Sequence, residues 1–464
     1  MDRINNNMKI QQQALPAQSA KAAPKKKEAQ TPGDSVSLGK APVGEEKQWL
    51  FLNYVGADCN LTKFQLANLD QQEVVGSDAN THMVAIVDVG PNNAPMPLGE
   101  GEGTWNGCKT LYLNKDSEVG RLNSEVIADY GAHADTSSPE FLQKSVVDAM
   151  KKFPAKNVAL IFNDHGGGWT GAMADDTDGD FMSMPGIGKA LKGIQEETGK
   201  KLDIVGFDAC VMAGVEVADE LTNAGVNSIM LASQENEGGP GWTYDEMLGE
   251  PVYKNSGKSP LGAQVINEAI KETQGSLYKK INVSPREFAK KVVEVNSKHN
   301  DDIPTFSATD LTKMDQLKGN CDKLAKAIID SDDKQGIKDA VGLSENYGGG
   351  WAPYRDMRDL HHLTRNIEKK STDGKLKKIA GEVRKSVEEA VFANQVNPEE
   401  HPESKGLHIY MPTQGTLGSD YKELSFAKNT MWDEAIESLG VKHDPTQKQS
   451  SKFWPDGHER RSKS

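Results

Sequence analysis

Two residues that can support covalent chemistry stand at the ends of two predicted strands. His165 directly follows an apolar segment, 157–164, and Cys210 closes the next one, 202–210. Functional residues of an open α/β sheet gather beyond the carboxyl ends of its strands. If these strands are neighbours, imidazole and thiol project from one edge, as an attacking thiol and its proton-handling partner require. Alone, Cys210 would equally suit a small packing residue at a strand end.

The residues after Cys210 predict that its thiol lies at or near a helix N-terminus. The segment CVMAGVEVADEL carries apolar residues at helical spacing. Backbone N–H groups at the start of a helix stabilise a thiolate and lower the pKa of the thiol. We therefore expect Cys210 to be the reactive thiol of the chain.

The other three cysteines and a histidine pair favour structural roles. Cys321 shares a predicted helical stripe with leucines, and Cys108 is expected in a loop or at a strand edge. Cys59 follows the first strand without a histidine in an evident position, so we interpret it as a packing residue or a helix start. No two cysteines have CxxC spacing. His361 and His362 point in different directions on a predicted helix, which favours packing over metal binding.

The densest group of acidic residues is Asp175, Asp176, Asp178 and Asp180, in the sequence DDTDGD. It does not fit an EF-hand, because counting from Asp176 places Phe181 at the sixth position and Ile187 at the twelfth, where Gly and Glu are needed. A solvated acidic loop is the expected structure.

The elements that must position these residues alternate between apolar strands and helices. A strand that is apolar on both faces is typical of a parallel sheet covered by helices. The sequence therefore predicts an α/β fold with a mostly parallel sheet flanked by helices. The predicted strands are 49–57, 83–90, 157–164, 202–210, 227–234, 304–311 and 406–412, and two clear helices lie after Ser138 and between Pro185 and Gly199.

The bulk composition excludes several functional classes. The formal net charge of −14 argues against nucleic acid as a partner, because such binding needs a basic surface. The sequence contains no apolar run of the roughly 20 residues needed for a membrane helix and no visible secretory signal, so it predicts a cytoplasmic location.

Several segments together resemble the clostripain family of cysteine peptidases, which shares a clan with caspases, legumain and gingipains. The segments are NDHGGGW, GFDACVMAGVEVADEL and ASQENEGGPGWTYDEML, with further likeness in KQWLFLNYVGADCNL, MADDTDGDFMSMPGIGKAL and GLHIYMP. The resemblance implies a caspase-like sheet with a mixed C-terminal region. It covers a peptidase core (47–300) and a C-terminal α/β part (301–440), while polar composition predicts a disordered tail before them (1–46) and a basic disordered tail after them (441–464). Members of the family are often exported.

The resemblance also implies roles for individual residues. Cys210 would be the nucleophile and His165 its acid–base partner. The N–H groups of Gly166 and Cys210 would form the oxyanion hole, for which a glycine leaves the backbone bare. The two glycines after Gly166 fit a tight turn better than the hole.

Acidic residues would select a basic residue before the cleaved bond. Asp208 would line that pocket, although it could instead cap the following helix, and Glu235 or Glu237 would contribute a second acid. No cofactor is required. Because some relatives depend on calcium, a calcium site in the segment Asp175–Asp180 stays open beside the solvated loop.

The function that this resemblance implies is a monomeric cysteine endopeptidase that cleaves peptides and proteins after Arg or Lys. The alternative is an inactive relative that binds peptides without cleaving them. A phosphate-binding module is less consistent, since no Gly-Lys-Ser/Thr follows the glycines.

Overall fold

The predicted strands pair in one large sheet at the centre of the molecule. The computed structural model describes residues 43–91, 97–99, 105–116, 118, 120–132, 134–244, 283–296, 302–348 and 356–449. The strands of the central sheet are β1 (Lys47–Ala57), β2 (Thr81–Val89), β3 (Gly107–Tyr112), β4 (Glu125–Gly131), β5 (Ala155–Asn163), β8 (Ile204–Asp208), β9 (Ile229–Ala232), β10 (Thr305–Asp310) and β12 (Val391–Val396).

The sheet is parallel in the middle and antiparallel at both sides. Its order is β12-β10-β9-β8-β5-β1-β2-β3-β4. The strands from β9 to β2 in this order run parallel, while β10 and β12 on one side and β3 and β4 on the other run antiparallel to their neighbours. This confirms the predicted α/β class with a mostly parallel sheet.

Helices cover both faces of the sheet. They are α1 (Thr62–Val75), α2 (Pro139–Lys152), α3 (Met184–Thr198), α4 (Val215–Asn223), α5 (Pro285–Asn296), α6 (Met314–Asp330), α7 (Lys334–Gly342), α8 (Leu360–Lys370), α9 (Gly374–Ala390), α10 (Ser425–Asn429) and α11 (Trp432–Ser438). Leu66 of α1 and Phe288 of α5 share an apolar cluster with Phe51 of β1. The next residue, Leu52, belongs to a second cluster with Leu142 of α2. Successive residues of β1 thus face opposite layers, which explains why the strand is apolar throughout.

The two helices with clear sequence signals begin and end where those signals predict. Ser138 caps α2 through a hydrogen bond from the Phe141 N–H, and Ser183 caps α3 in the same way. Gly199, at the end of α3, has a left-handed backbone conformation (φ 66°), which glycine adopts without steric cost.

Smaller sheets complete the structure around the site. β6 (Ala172–Asp175) and β7 (Asp180–Met182) form a hairpin, β11 (Met357–Asp359) pairs with β13 (His408–Tyr410), and β14 (Thr416–Gly418) pairs with β15 (Lys442–Asp444). β15 lies within the range predicted as the C-terminal tail. The predicted boundary at residue 300 falls outside the described residues, as does most of the N-terminal tail.

Candidate active site

The strands that precede His165 and Cys210 are neighbours, as the sequence predicts. β5 and β8 pair in parallel register, with Asn163 opposite Asp208 at their carboxyl ends. Both loops therefore leave the same edge of the sheet. A Cβ atom on Gly166 would lie 2.3 Å from the Cys210 carbonyl oxygen and 3.0 Å from the Cys210 nitrogen. The backbone of the histidine loop thus packs directly on that of the cysteine, and only glycine permits this approach.

The imidazole of His165 is held by a residue that sequence reasoning missed. Its Nε2 lies 2.8 Å from Oδ1 of Asn60, in the loop between β1 and α1. Burial lowers the pKa of His165 to about 4, so the ring is neutral near pH 7. The end of β1 lies at the same edge of the sheet as the end of β5. The carboxyl-end rule could therefore have identified Asn60.

The carboxylate of Asp164 holds the histidine loop through hydrogen bonds. Its Oδ1 accepts hydrogen bonds from the His165 N–H at 2.6 Å and from the Cys59 thiol at 3.3 Å. Its Oδ2 accepts a hydrogen bond from the Ala174 N–H at 2.7 Å. Cys59 is buried just before α1, as expected of a packing residue or helix start, and it also lies beside the histidine loop.

The prediction of a helix N-terminus at Cys210 itself is wrong. The helix that follows, α4, begins at Val215 after Gly214, so the six-residue loop 209–214 holds the cysteine. Burial raises the pKa of the Cys210 thiol to about 12, with smaller contributions from nearby carboxylates that include Glu237. The free thiol is therefore neutral. Apolar periodicity suggested an earlier start because buried loop residues such as Val211 extend the pattern.

Val211, directly after the cysteine, has a φ of 53°. A β-branched residue rarely adopts this left-handed conformation, which costs of the order of 1–3 kcal/mol. Three contacts hold the loop: Val211 N–H donates to the Glu235 carbonyl at 3.1 Å, Ala213 N–H donates to that of Ser233 at 2.8 Å, and His408 Nε2 lies 2.8 Å from the Val211 carbonyl oxygen. Tertiary contacts thus maintain the strained turn that presents the thiol.

His165 and Cys210 line one open cleft. The other residues that line it are Leu61, Gln65, Asn68, Asn163, Asp164, Asp208, Ala209, Glu237, Gly238, Gly239 and Gly241. The structure therefore brings together His165, Gly166, Cys210, Asp208 and Glu237 of the predicted site residues.

Asp208 lies in the wall of this cleft and does not cap α4. Its carboxylate accepts hydrogen bonds from Asn163 Nδ2 at 2.6 Å and from the Tyr244 hydroxyl at 2.8 Å, and from the Trp242 N–H at 3.2 Å. Burial raises the pKa of Asp208 to about 6 despite these bonds. The alternative role as a helix cap is excluded, because the residue that precedes α4 is Gly214.

The structure separates Glu237 from Glu235. The Glu237 carboxyl group lies beside Asp208 and lines the cleft, and the Trp242 side chain is a neighbouring donor. Burial, and then the Asp208 charge, raise the pKa of Glu237 well above its usual range. Glu235 points elsewhere: its Oε1 accepts a hydrogen bond from the Gly348 N–H at 2.8 Å, and its Oε2 lies 3.5 Å from His401 Nε2.

The remaining glycines after His165 shape a turn. Gly168 has a φ of 59° and begins a short 3-10 turn, Gly168–Thr170. Trp169 within it is buried against Tyr410 and Tyr421, with ring centroids 5.2 and 5.0 Å apart. The indole thus fixes the turn to the C-terminal part of the fold.

The acidic segment is a hairpin rather than a solvated loop. Asp175 is fully buried at the end of β6, while Asp176 and Asp180 are exposed around the turn. Carboxylate oxygens of Asp175 come within 4.8 Å of those of two further pairs of acids, Asp58 with Asp88 and Asp135 with Asp178. These are sets of hard oxygen donors, the type that calcium prefers. Asp176 and Asp180 belong to neither set among the described residues.

His361, His362 and Cys321 make packing or hydrogen-bond contacts within the fold, as predicted. His361 pairs with Glu388 at 2.9 Å, His362 Nδ1 accepts a hydrogen bond from a backbone N–H at 3.2 Å, and Cys321 is buried in α6. Cys108 is buried near the start of β3, as expected of a packing residue at a strand edge, and does not lie in a loop.

Comparison with known proteins agrees with this architecture. Residues 53–439 match the model of the clostripain family, peptidase C11. The structure is similar to an inactive zymogen C11 protease from Parabacteroides distasonis, with 17% identity, a TM-score of 0.56, and coverage of 83% of this chain and 99% of that chain.

Two structures from Bacteroides thetaiotaomicron are similar as well. One is a secreted C11 cysteine protease in complex with an irreversible peptide inhibitor, with 16% identity, a TM-score of 0.56, and coverage of 84% of this chain and 99% of that chain. The other is a secreted C11 cysteine protease named iotapain, with 14% identity, a TM-score of 0.57, and coverage of 83% and 99%. At these identities the likeness shows the fold.

A search of curated proteins finds no match. Within the described ranges, no helix combines the length and apolar character that crossing a bilayer requires. The family match spans most of the chain and agrees with the observed fold. The chain therefore belongs to the clostripain family and is a cysteine-type endopeptidase.

Proposed function

We propose that this chain cleaves peptide bonds after Arg or Lys through a Cys210–His165 dyad. The observation that carries the proposal is the cleft in which a thiol and an imidazole share the carboxyl edge of β5 and β8 with two buried carboxylates. One chain supplies all four groups, which supports a monomer acting on peptide or protein substrates.

The neutral states of the two residues define the order of proton transfers. As Cys210 Sγ attacks the scissile carbonyl carbon, neutral His165 accepts the thiol proton. The N–H groups of Gly166 and Cys210 stabilise the oxyanion. The imidazolium then protonates the leaving amine, and a thioester to Cys210 remains. His165 next accepts a proton from water, which attacks the thioester and releases the acid product.

The preference for a basic residue follows from the charge of the pocket. Asp208 accepts three hydrogen bonds, whereas Glu237 has the Trp242 side chain as a neighbouring donor and the charge of Asp208 beside it. A guanidinium or ammonium group would give the Glu237 carboxylate a charge-assisted partner and relieve the repulsion from Asp208. We therefore assign Glu237 as the primary acid of the pocket and Asp208 as its support.

The test compares turnover of Arg and Lys reporter peptides by the unmodified chain, Cys210→Ala and Cys108→Ser. Cys108→Ser removes a buried thiol outside the cleft and serves as the matched control. We expect Cys210→Ala to lose several powers of ten in kcat, of the order of 10⁶, with folding retained. Turnover by Cys210→Ala equal to that of the control would refute the dyad.

The second candidate function is peptide binding without cleavage. The neutral Cys210 thiol is the observation that favours it, since a thiol with a pKa of about 12 needs deprotonation during attack. This alternative would be supported if the unmodified chain bound Arg and Lys peptides but did not cleave them, whether or not the chain itself had been proteolytically processed.

Calcium fits the acidic sets around Asp175 as a structural ion. Asp58 belongs to the loop after β1, and its carbonyl accepts a hydrogen bond from the Asp176 N–H at 2.8 Å. A calcium ion held by Asp58, Asp88 and Asp175 would neutralise carboxylates whose burial raises the pKa of Asp88 to about 8 and of Asp175 to about 7. It would fasten the hairpin to the sheet without entering the reaction. A calcium-dependent rise in the unfolding temperature, absent in Asp175→Asn, is the expected result.

A further inference from the structure

A second thiol, which the proposed mechanism does not use, lies against the catalytic histidine loop. Ligand atoms of Cys59, Asp164 and His165 all lie within 4.8 Å of one another. The distance from Cys59 Sγ to Asp164 Oδ1 is 3.3 Å. Both of these side chains are almost fully buried, at 2% and 3% exposure, while His165 lines the cleft.

The chemistry of these donors differs from that of the acidic sets around Asp175. A thiolate, an imidazole and a carboxylate are the ligands of Zn²⁺ and related ions, whereas calcium prefers oxygen alone. Zn–S and Zn–O bonds of about 2.3 and 2.0 Å at a tetrahedral angle place sulfur and oxygen roughly 3.5 Å apart. The observed 3.3 Å between Cys59 and Asp164 is close to this spacing.

Neighbouring groups already orient all three donors. The Leu61 N–H donates a hydrogen bond to Cys59 Sγ at 3.4 Å, a contact that stabilises a thiolate. The Ala174 N–H holds Asp164 Oδ2, and Asn60 holds the imidazole of His165. Such outer contacts fix the direction of metal ligands in known sites.

From this arrangement we infer that Cys59, Asp164 and His165 form an inhibitory site for Zn²⁺ that does not involve the nucleophile. The ion enters from the cleft, which His165 and Asp164 line. Binding displaces the Cys59 thiol proton, and any proton on Asp164, to solvent, and forms one bond from the metal to each side chain. Water or another solvent ligand completes the tetrahedron. A metal-bound His165 cannot accept a proton, so turnover stops.

The binding test uses Co²⁺ as a spectroscopic substitute for Zn²⁺ in the Cys210→Ala variant. Because Cys59 is the thiol next to His165, we expect Cys210→Ala to show the thiolate-to-cobalt charge-transfer band and tetrahedral visible bands. Adding Cys59→Ser should abolish the charge-transfer band and weaken Zn²⁺ binding by at least about 100-fold. Adding Cys108→Ser instead should change neither. Thermal unfolding without metal checks that each variant is folded.

Two results would overturn the inference. The first is a band that is absent from Cys210→Ala but present in Cys59→Ser, which would place the ion on the nucleophile. The second is the absence of a band in every variant. The inhibition rests on the proposed function, but metal binding does not. The cobalt spectra therefore test the metal site even if the chain shows no turnover of Arg and Lys reporters. In the active chain, Cys59→Ser should raise the Zn²⁺ concentration for half-inhibition at least tenfold relative to Cys108→Ser.

Discussion

The loops that leave β5 and β8 present their functional side chains by opposite means. The histidine loop uses glycine: Gly166 lets the backbone approach Cys210, and Gly168 takes a left-handed φ without strain. The cysteine loop has a β-branched residue, Val211, in a left-handed conformation and is held there by its surroundings. The first loop is shaped by its own residue types, whereas the second depends on distant segments. The cysteine loop should therefore be the more sensitive to remote substitutions.

The largest effect on the histidine side should come from His165→Ala. We expect kcat to fall about 10²- to 10⁴-fold, because proton transfer to and from the thiol and the leaving amine is lost. Asn60→Ala should cost less, about tenfold, since it only loosens the imidazole. Steady-state kinetics with a Lys reporter measures both. A larger loss in Asn60→Ala than in His165→Ala would reverse these roles.

The pocket beside the cysteine loop gives the next effect. Glu237→Gln should lower kcat/KM for Arg and Lys reporters about 30- to 5000-fold, as expected for about 2–5 kcal/mol from a buried charge pair. Glu235→Gln is the matched control, because that carboxylate contacts Gly348 and His401 outside the cleft. Equal losses in the two variants would contradict the assignment of Glu237.

A remote substitution tests the dependence of the cysteine loop on its surroundings. His408→Gln removes the contact with the Val211 carbonyl, and we expect up to a tenfold loss of kcat together with about 1–3 kcal/mol of unfolding free energy. His362→Gln removes a comparable contact with a backbone N–H far from the cleft. Urea unfolding and kinetics of both variants should show similar destabilisation, but a loss of kcat only in His408→Gln. Unchanged kcat in both would show that the loop holds its own shape.

The smallest effect concerns pH and the acidic set around the hairpin. Burial raises the pKa of Asp88 to about 8, so the folded state binds its proton more tightly than the unfolded chain does. The stability from this group is present below pH 4 and is lost as pH rises toward 8. We expect the unfolding temperature of Asp88→Asn to fall less between pH 5 and pH 8 than that of the unmodified chain.

The control for this pH effect is Asp129→Asn. This carboxylate is exposed on β4, and its hydrogen bond with Lys109 lowers its pKa. Its replacement should not reduce the loss of stability on the alkaline side. If the unfolding temperature of Asp88→Asn matched that of the unmodified chain at every pH, Asp88 would not be the source of the stability lost at high pH.

The parts of the site that could be predicted are those that depend on the pattern of neighbouring residues in the sequence. Apolar runs identified β5 and β8, and the carboxyl-end rule placed His165 and Cys210 at one edge before any coordinates. The start of α4 could not be located, because a buried loop and a helix share an apolar pattern over a few residues. Asn60 was not predicted because an asparagine in a loop after a strand is not a distinctive pattern, and the contact of Cys59 with Asp164 joins residues 105 positions apart.

By itself, the sequence determined the parallel α/β sheet, its family and the two residues proposed for catalysis, since strand periodicity, turn glycines and short motifs are local properties. Only the tertiary structure decided which acid lines the cleft, because Glu235 and Glu237 differ by two positions in a loop whose course depends on contacts with Val211 and Thr305. It alone also showed that Cys59 meets Asp164, 105 residues away. Such pairings depend on how loops pack at the sheet edge, and no short-range pattern encodes that packing.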